Sequence, residues 1–112
     1  MISKITAVAF VATIASGAAS AGASIDDATA TKLMNSGGCR ACHAVDKKLV
    51  GPAYKDVASK RKGQADAIEV LTKAVRTGSK GVYGGSIAMP ASNAARISDA
   101  DLHDLLEWVL SR

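Results

Sequence analysis

Apolar residues recur with helical spacing at several places along the chain. The clearest stripe lies near the C terminus and follows the i, i+3, i+4, i+7 spacing of one helix face: Leu102, Leu105, Leu106 and Val109. Ser98 precedes this stripe, and Asp101 follows three residues later, which is typical of a capped helix N-terminus. The pattern predicts a C-terminal amphipathic helix.

Three shorter helices are predicted before it. The first runs from a cap at Ser24 to about residue 35, where the glycine pair 37–38 ends it. The second starts at Pro52, which suits a helix first turn, and runs to about residue 60. The third spans residues 66–77 and stops at Gly78.

The remaining pattern predicts loops and no sheet. Apolar and polar residues nowhere alternate for long enough to form a strand, so the fold class is all-α. Residues 78–98 form a loop of about twenty residues that contains several helix breakers: Gly81, Gly84, Gly85 and Pro90. A loop of this length in a small domain usually serves a function or is disordered.

The first residues have the order of parts of a secretory signal peptide. Lys4 precedes an uncharged apolar run at residues 5–15, and small residues follow, with cleavage expected near Ala21 to Ala23. The run is shorter than the roughly 20 residues that span a bilayer, although an uncleaved anchor is the alternative. We expect residues 1–22 to be a signal peptide and residues 23–112 to form one domain, with no membrane insertion after cleavage.

Composition limits the core that this domain can build. Without the signal peptide, its aromatic residues are Tyr54, Tyr83 and Trp108, and much of the 48% hydrophobic content is alanine. A chain of this length is near the lower limit for a self-sufficient core. We therefore expect a large apolar cofactor to fill the centre, with a gain of about 25 cal/mol per Å² of buried surface.

Charge indicates the kind of partner. The formal net charge is +4, and loss of Lys4 would leave +3. A moderate positive charge suits docking on acidic proteins. The basic residues lack interleaved aromatic residues or a nucleic-acid-binding motif, so nucleic acid is not expected as a partner.

One short motif indicates the chemistry. The segment from Cys39 to His43 reads C-x-x-C-H, the haem c attachment signature. Cys39 and Cys42 lie on one side of a helical turn, where each thiol can form a thioether with a haem vinyl group. His43 is then held beneath the iron as the proximal ligand. We expect one covalent haem c with its iron.

Other chemistry of two cysteines fits the sequence less well. A thiol–disulfide oxidoreductase carries its pair after a strand, and no strand is predicted. A zinc site needs further ligands, and only His103 remains. A structural disulfide across so short a loop gains little entropy.

The second axial ligand of the iron is expected to be Met89. This residue lies in the Gly/Pro loop and is followed by Pro90. Methionine–histidine ligation raises the reduction potential and closes the iron to other ligands. The alternatives are that Met89 only fills space in the loop, and that His103 on the last helix is the ligand. Met34 is expected in the core of the first helix.

With these residues assembled, the sequence resembles the short bacterial class I cytochromes c of the cytochrome c-551 type. The likeness covers nearly all of the predicted domain and rests on motifs in the same order. These are the attachment segment 38–43, V-G-P-A-Y-K-D-V at 50–57, G-V-Y-G at 81–84, Met89-Pro90, and W-V-L-S at 108–111.

The resemblance implies three to five helices wrapped around one haem, with His43 and Met89 as axial ligands. It also implies that the carbonyl of Pro52 orients the imidazole and that Tyr83 hydrogen-bonds a haem propionate, where relatives usually have tryptophan. Lys73 and Arg76 are further candidates for a propionate partner. Asn93 is expected either near the methionine sulfur or in an ordinary turn.

The implied role is that of a periplasmic, monomeric, non-enzymatic electron carrier. Its donors would be a quinol-oxidising complex or another cytochrome, and its acceptors a terminal oxidase, a nitrite reductase or a peroxidase. Ala88 and Ala91 flank Met89-Pro90 where relatives often have proline, which frees the unfolded loop. The alternative is therefore a haem enzyme or gas sensor with a displaceable methionine; a third is a haem-free thiol oxidoreductase.

Overall fold

The computed structural model describes residues 25–112, which form four helices and one short turn of 3₁₀ helix. Helix α1 spans Asp27–Gly37, and the 3₁₀ turn follows at Cys39–Ala41. The other helices are α2 at Tyr54–Arg61, α3 at Ala67–Thr77 and α4 at Asp99–Leu110. The predicted signal peptide lies outside the described residues, and the predicted all-α class is confirmed.

Two predicted helix starts were wrong. Helix α1 is capped by Asp26, whose side chain accepts a hydrogen bond from the Thr29 amide, whereas the predicted cap, Ser24, lies outside the described residues. Helix α2 begins at Tyr54, after the extended Ala53, so Pro52 precedes the helix. A carboxylate is as good a cap as a hydroxyl, and proline also suits the extended approach to a helix, so pattern alone could not choose.

The start of α4 agrees with the prediction. Ser98 is the N-cap, and its hydroxyl accepts a hydrogen bond of 3.2 Å from the Asp101 amide. The predicted apolar stripe is buried, and Leu102 and Leu105 are only 2% and 3% exposed. Helix α4 packs against α1, α2 and α3 and is therefore the central helix of the fold.

The two ends of the described chain are joined where α1 meets α4. The Trp108 indole donates a hydrogen bond of 3.0 Å to the carboxylate of Asp27. The Arg112 guanidinium donates to the same carboxylate at 3.3 Å and lies over the Trp108 ring at 4.1 Å. This contact fixes the first helix on the last.

None of the helices within residues 25–112 has the length and apolar character that crossing a membrane requires.

Met34 is 5% exposed and belongs to the apolar cluster between α1 and α4, as predicted. Much of this cluster also borders a central cavity, whose wall includes Leu71, Leu105 and Val109. The small set of large side chains thus surrounds a space instead of filling it.

Candidate cofactor site

The central cavity contains about 1460 Å³ of empty space, counted out to its open mouth. An open, concave and largely apolar site of this kind is typical of cofactor binding. The wall is mostly apolar. It also contains the four residues whose chemistry the sequence singled out: Cys39, Cys42, His43 and Met89.

A glycine and a tight turn place the two cysteines. Gly38 adopts the left-handed conformation (φ 74°) that ends α1, and its amide bonds to carbonyls of the last helical turn. The chain then winds into the 3₁₀ turn, in which the amides of Cys42 and His43 both bond to the Cys39 carbonyl, at 3.2 and 3.0 Å. The two thiols and the imidazole therefore lie within one compact turn on the cavity wall.

The orientation of His43 is fixed from the following loop. Its Nδ1 lies 2.8 Å from the carbonyl oxygen of Pro52, which is the hydrogen bond that the family resemblance implies. Because a carbonyl only accepts, Nδ1 must donate the proton, so in the neutral ring Nε2 keeps its lone pair. The ring also stacks on Tyr54 at 5.2 Å between centroids. This histidine is prepared to bind a metal through Nε2.

Gly51 allows the loop to approach the imidazole. A Cβ atom at this position would lie 2.5 Å from Cε1 of His43 and 2.9 Å from Nδ1. The Gly51 amide bonds to the Cys42 carbonyl at 2.7 Å, so the backbone cannot move away easily. A glycine is therefore required for close contact between this loop and the ring.

We expect Gly51→Ala to displace the imidazole and weaken its hydrogen bond to Pro52. The overpacking should lower the free energy of unfolding of the holoprotein by about 2 kcal/mol, measured by denaturant titration. Gly85→Ala is the matched control, because the atom nearest its added Cβ is 4.0 Å away. Equal stability of the two variants would contradict the assigned contact.

Backbone pairing holds Met89. Met89 forms an antiparallel bridge with Ser79, two residues beyond the end of α3. The Met89 amide donates to the Ser79 carbonyl at 2.7 Å, and the Ser79 amide donates to the Met89 carbonyl at 3.1 Å. Gly78 adjoins this bridge with φ 90°, and an added Cβ would meet the Met89 carbonyl at 2.9 Å. Met89 is half-buried and lies on the cavity wall.

Two hydroxyl groups on the cavity wall are buried without a hydrogen-bond partner among the described residues. These are the phenol of Tyr83 and the hydroxyl of Ser92. The Tyr83 ring is held from outside by Lys60, whose ammonium lies 5.3 Å from its centroid. Buried donors without acceptors are costly, so their presence fits a cofactor that brings polar acceptors into the cavity.

The charged residues on the cavity wall are all basic. They are Lys48, Lys80 and Arg96, and no carboxylate occurs among the described lining residues. Neither Lys73 nor Arg76 is among the lining residues, so the structure does not bring either of these two candidates to the cavity wall. The sequence shows that these residues are basic, but only the folded loops decide which of them reach the cavity.

The structure also bears on the alternative roles of the cysteines and of the other histidine. Burial raises the pKa of the Cys39 thiol above its ordinary value, which disfavours the thiolate that a thiol oxidoreductase needs. His103 lies on the exposed face of α4 beside Asp104 and Glu107 and is absent from the cavity wall. Asn93 accepts a hydrogen bond from the Ala95 amide at 3.0 Å and is an ordinary turn residue.

Comparison with known proteins shows the family of the chain. The model of the cytochrome c family matches residues 28–112. The chain is 49% identical over 80 residues to cytochrome c-551 of Pseudomonas aeruginosa, covering 71% of this chain and 73% of that protein. It is 42% identical over 80 residues to cytochrome c-552 of Hydrogenobacter thermophilus, covering 71% and 78%.

A solved structure shows the same architecture. The crystal structure of wild-type Nitrosomonas europaea cytochrome c552 aligns with a TM-score of 0.64 at 41% identity, covering 72% of this chain and 96% of the other. The chain belongs to the cytochrome c family, as a class I c-type cytochrome of the c-551 type. Its cofactor is a covalently bound haem c with iron, and the chain is a haem c electron-transfer protein.

Proposed function

We propose that this cytochrome carries one electron at a time on a haem bonded to Cys39 and Cys42, with His43 and Met89 as axial ligands. The observation that supports this most strongly is that all four side chains line a single apolar cavity. The haem supplies one-electron chemistry, since its iron alternates between the ferric and ferrous states. The protein holds the iron, excludes water and sets the potential.

Several residues of the cavity wall contribute to the proposed electron transfer. Pro52 orients His43 and raises its basicity as a ligand through the Nδ1 hydrogen bond. The buried phenol of Tyr83 is free to donate to a haem propionate. The apolar surroundings disfavour the extra positive charge of ferric iron, and together with a thioether ligand they raise the potential.

The anchoring of Met89 favours a carrier over a haem enzyme or gas sensor. A sensor needs a sixth position that opens easily, whereas the Met89 backbone is bonded to Ser79 in both directions. An iron that keeps both ligands in both oxidation states reorganises little at each transfer. The small electron-carrier cytochromes among the relatives agree with this non-enzymatic role.

We place the function in the periplasm, after cleavage of residues 1–22, with residues 23–112 as a monomeric domain. The apolar run behind Lys4 supports export, and two thioether bonds prevent loss of haem. The donor would be a quinol-oxidising complex or another cytochrome. The acceptor would be a terminal oxidase, a nitrite reductase or a peroxidase.

Electron transfer should depend on ionic strength with a sign set by the charge of the reaction partner. Lys48, Lys80 and Arg96 on the cavity wall place positive charge where the haem would be reached. Oxidation by a small anionic iron complex should slow as salt rises, and oxidation by a cationic cobalt complex should accelerate. Stopped-flow measurements with both oxidants test this.

The matched variants are Lys80→Gln at the cavity and Lys73→Gln away from it. Lys80→Gln should reduce the salt dependence with the anionic oxidant more than Lys73→Gln does. If the two oxidants respond to salt in the same direction, or if the two variants behave alike, the basic cavity mouth does not steer partners.

A further inference from the structure

We propose that Arg76 is the residue that keeps Met89 on the iron, although it touches neither the cavity nor Met89. This inference rests on the proposed function, because it assumes that Met89 is the sixth ligand. Arg76 lies in the last turn of α3, and its side chain is 18% exposed. It is a positioning residue that acts through the loop following Met89.

The guanidinium of Arg76 bonds to both ends of that loop. One nitrogen donates to the Ser92 carbonyl at 3.2 Å, and the other donates to the Ile97 carbonyl at 2.9 Å. The second nitrogen also bonds to the Asp99 carboxylate at 2.7 Å, at the start of α4. A planar fork of donors can satisfy these acceptors together, which a lysine ammonium cannot do in the same geometry.

These bonds fix the backbone directly after Met89-Pro90. Ser92 is held on both sides, since its amide donates to the Val75 carbonyl at 2.7 Å and its carbonyl accepts from Arg76. The bridge with Ser79 holds Met89 itself. The chain is therefore fixed at the methionine by Ser79, two residues beyond the end of α3, and three residues later by α3 itself, through the Val75 carbonyl and the Arg76 side chain.

The local sequence explains why such an attachment is needed. Met89-Pro90 is flanked by Ala88 and Ala91, which do little to restrict the unfolded loop. An intrinsically flexible loop must be ordered by tertiary contacts if its methionine is to stay in place. The hydrogen bonds of Arg76 are tertiary contacts of this kind, and they order the loop from outside the cavity.

Arg76→Gln should make the iron–sulfur bond easier to displace. The readout is the binding of imidazole to the ferric holoprotein, followed through loss of the far-red sulfur-to-iron charge-transfer band. Imidazole must compete with Met89 for the iron. If the loop is loosened, the apparent affinity of the protein for imidazole should increase about tenfold, the factor that loss of one charged hydrogen bond can supply. Arg76→Lys should lie between Arg76→Gln and the wild type.

Two controls separate positioning from general damage. Lys73→Gln removes the same charge from an exposed position on the same helix and should leave imidazole affinity unchanged. Asp27→Ala removes the contacts to Trp108 and Arg112, and should lower unfolding stability without changing imidazole affinity. Asp99→Asn is a milder second variant and should give a smaller shift in the direction of Arg76→Gln.

The possible outcomes distinguish this inference from the function on which it rests. A wild-type ferric protein without the charge-transfer band would show that Met89 is not the ligand, and the proposed function would fail first. If the band is present but Arg76→Gln and Asp99→Asn bind imidazole as the wild type does, the function stands and the role of Arg76 is wrong. An equal gain in affinity in Asp27→Ala would also overturn it.

Discussion

Met89→Ala should lower the midpoint potential of the haem by on the order of 0.1 V or more, within the range of about 0.8 V over which axial ligands tune haem iron. The thioether favours ferrous iron, and its loss leaves water or an empty position in its place. The charge-transfer band should vanish, and the ferrous protein should bind carbon monoxide rapidly. Spectroelectrochemical titration and flash photolysis measure the two effects.

A second methionine in the chain provides the control. Met34 is 5% exposed in the core and does not line the cavity. Met34→Ala should cost about 2–5 kcal/mol of stability while the potential and the charge-transfer band stay unchanged. An unaltered spectrum in Met89→Ala would show that another group, or none, occupies the sixth position.

Replacing both cysteines, Cys39→Ala with Cys42→Ala, should give a chain that neither retains haem nor folds stably. Many of the large apolar side chains border the cavity, so without a cofactor they would face an unfilled space. Apolar surface that stays exposed to water forgoes roughly 25 cal/mol per Å², and a typical domain is stable by only about 5–15 kcal/mol. Far-ultraviolet circular dichroism and a haem stain after denaturing electrophoresis test both parts.

Each single cysteine variant separates attachment from folding. One remaining thioether should retain stainable haem and most of the helical signal, with lower thermal stability. A colourless double variant that unfolds cooperatively at the wild-type temperature would show that the core does not depend on the cofactor.

The sequence predicted the helices because their apolar spacing and stop signals are local. The stripe at Leu102 and Leu105 and the cap at Ser98 needed no tertiary information. The starts of α1 and α2 were missed because Asp26 and Ser24 are both suitable caps and because proline suits the residues just before a helix as well as its first turn. Where two positions have equally suitable residues, tertiary packing determines where the helix begins.

The attachment motif predicted the chemistry, but not the supports around it. Gly51 matters because its missing side chain makes room for His43, which is visible only once the loop is folded. Arg76 was one of two candidates, with Lys73, for facing a haem propionate, and in the structure it bonds to the loop that follows Met89. The position of Gly51 directly before Pro52 was a sequence signal for its role. No sequence pattern indicates that Arg76 bonds to residues 16 and 21 positions away.

The most direct test is the intact mass of the wild-type protein, purified from a host that has a cytochrome c maturation system and measured under denaturing conditions. We expect the mass of the processed polypeptide plus one haem, with Cys39 and Cys42 both unreactive toward alkylating agents. The mass of the polypeptide alone, with two thiols that can be alkylated, would contradict it.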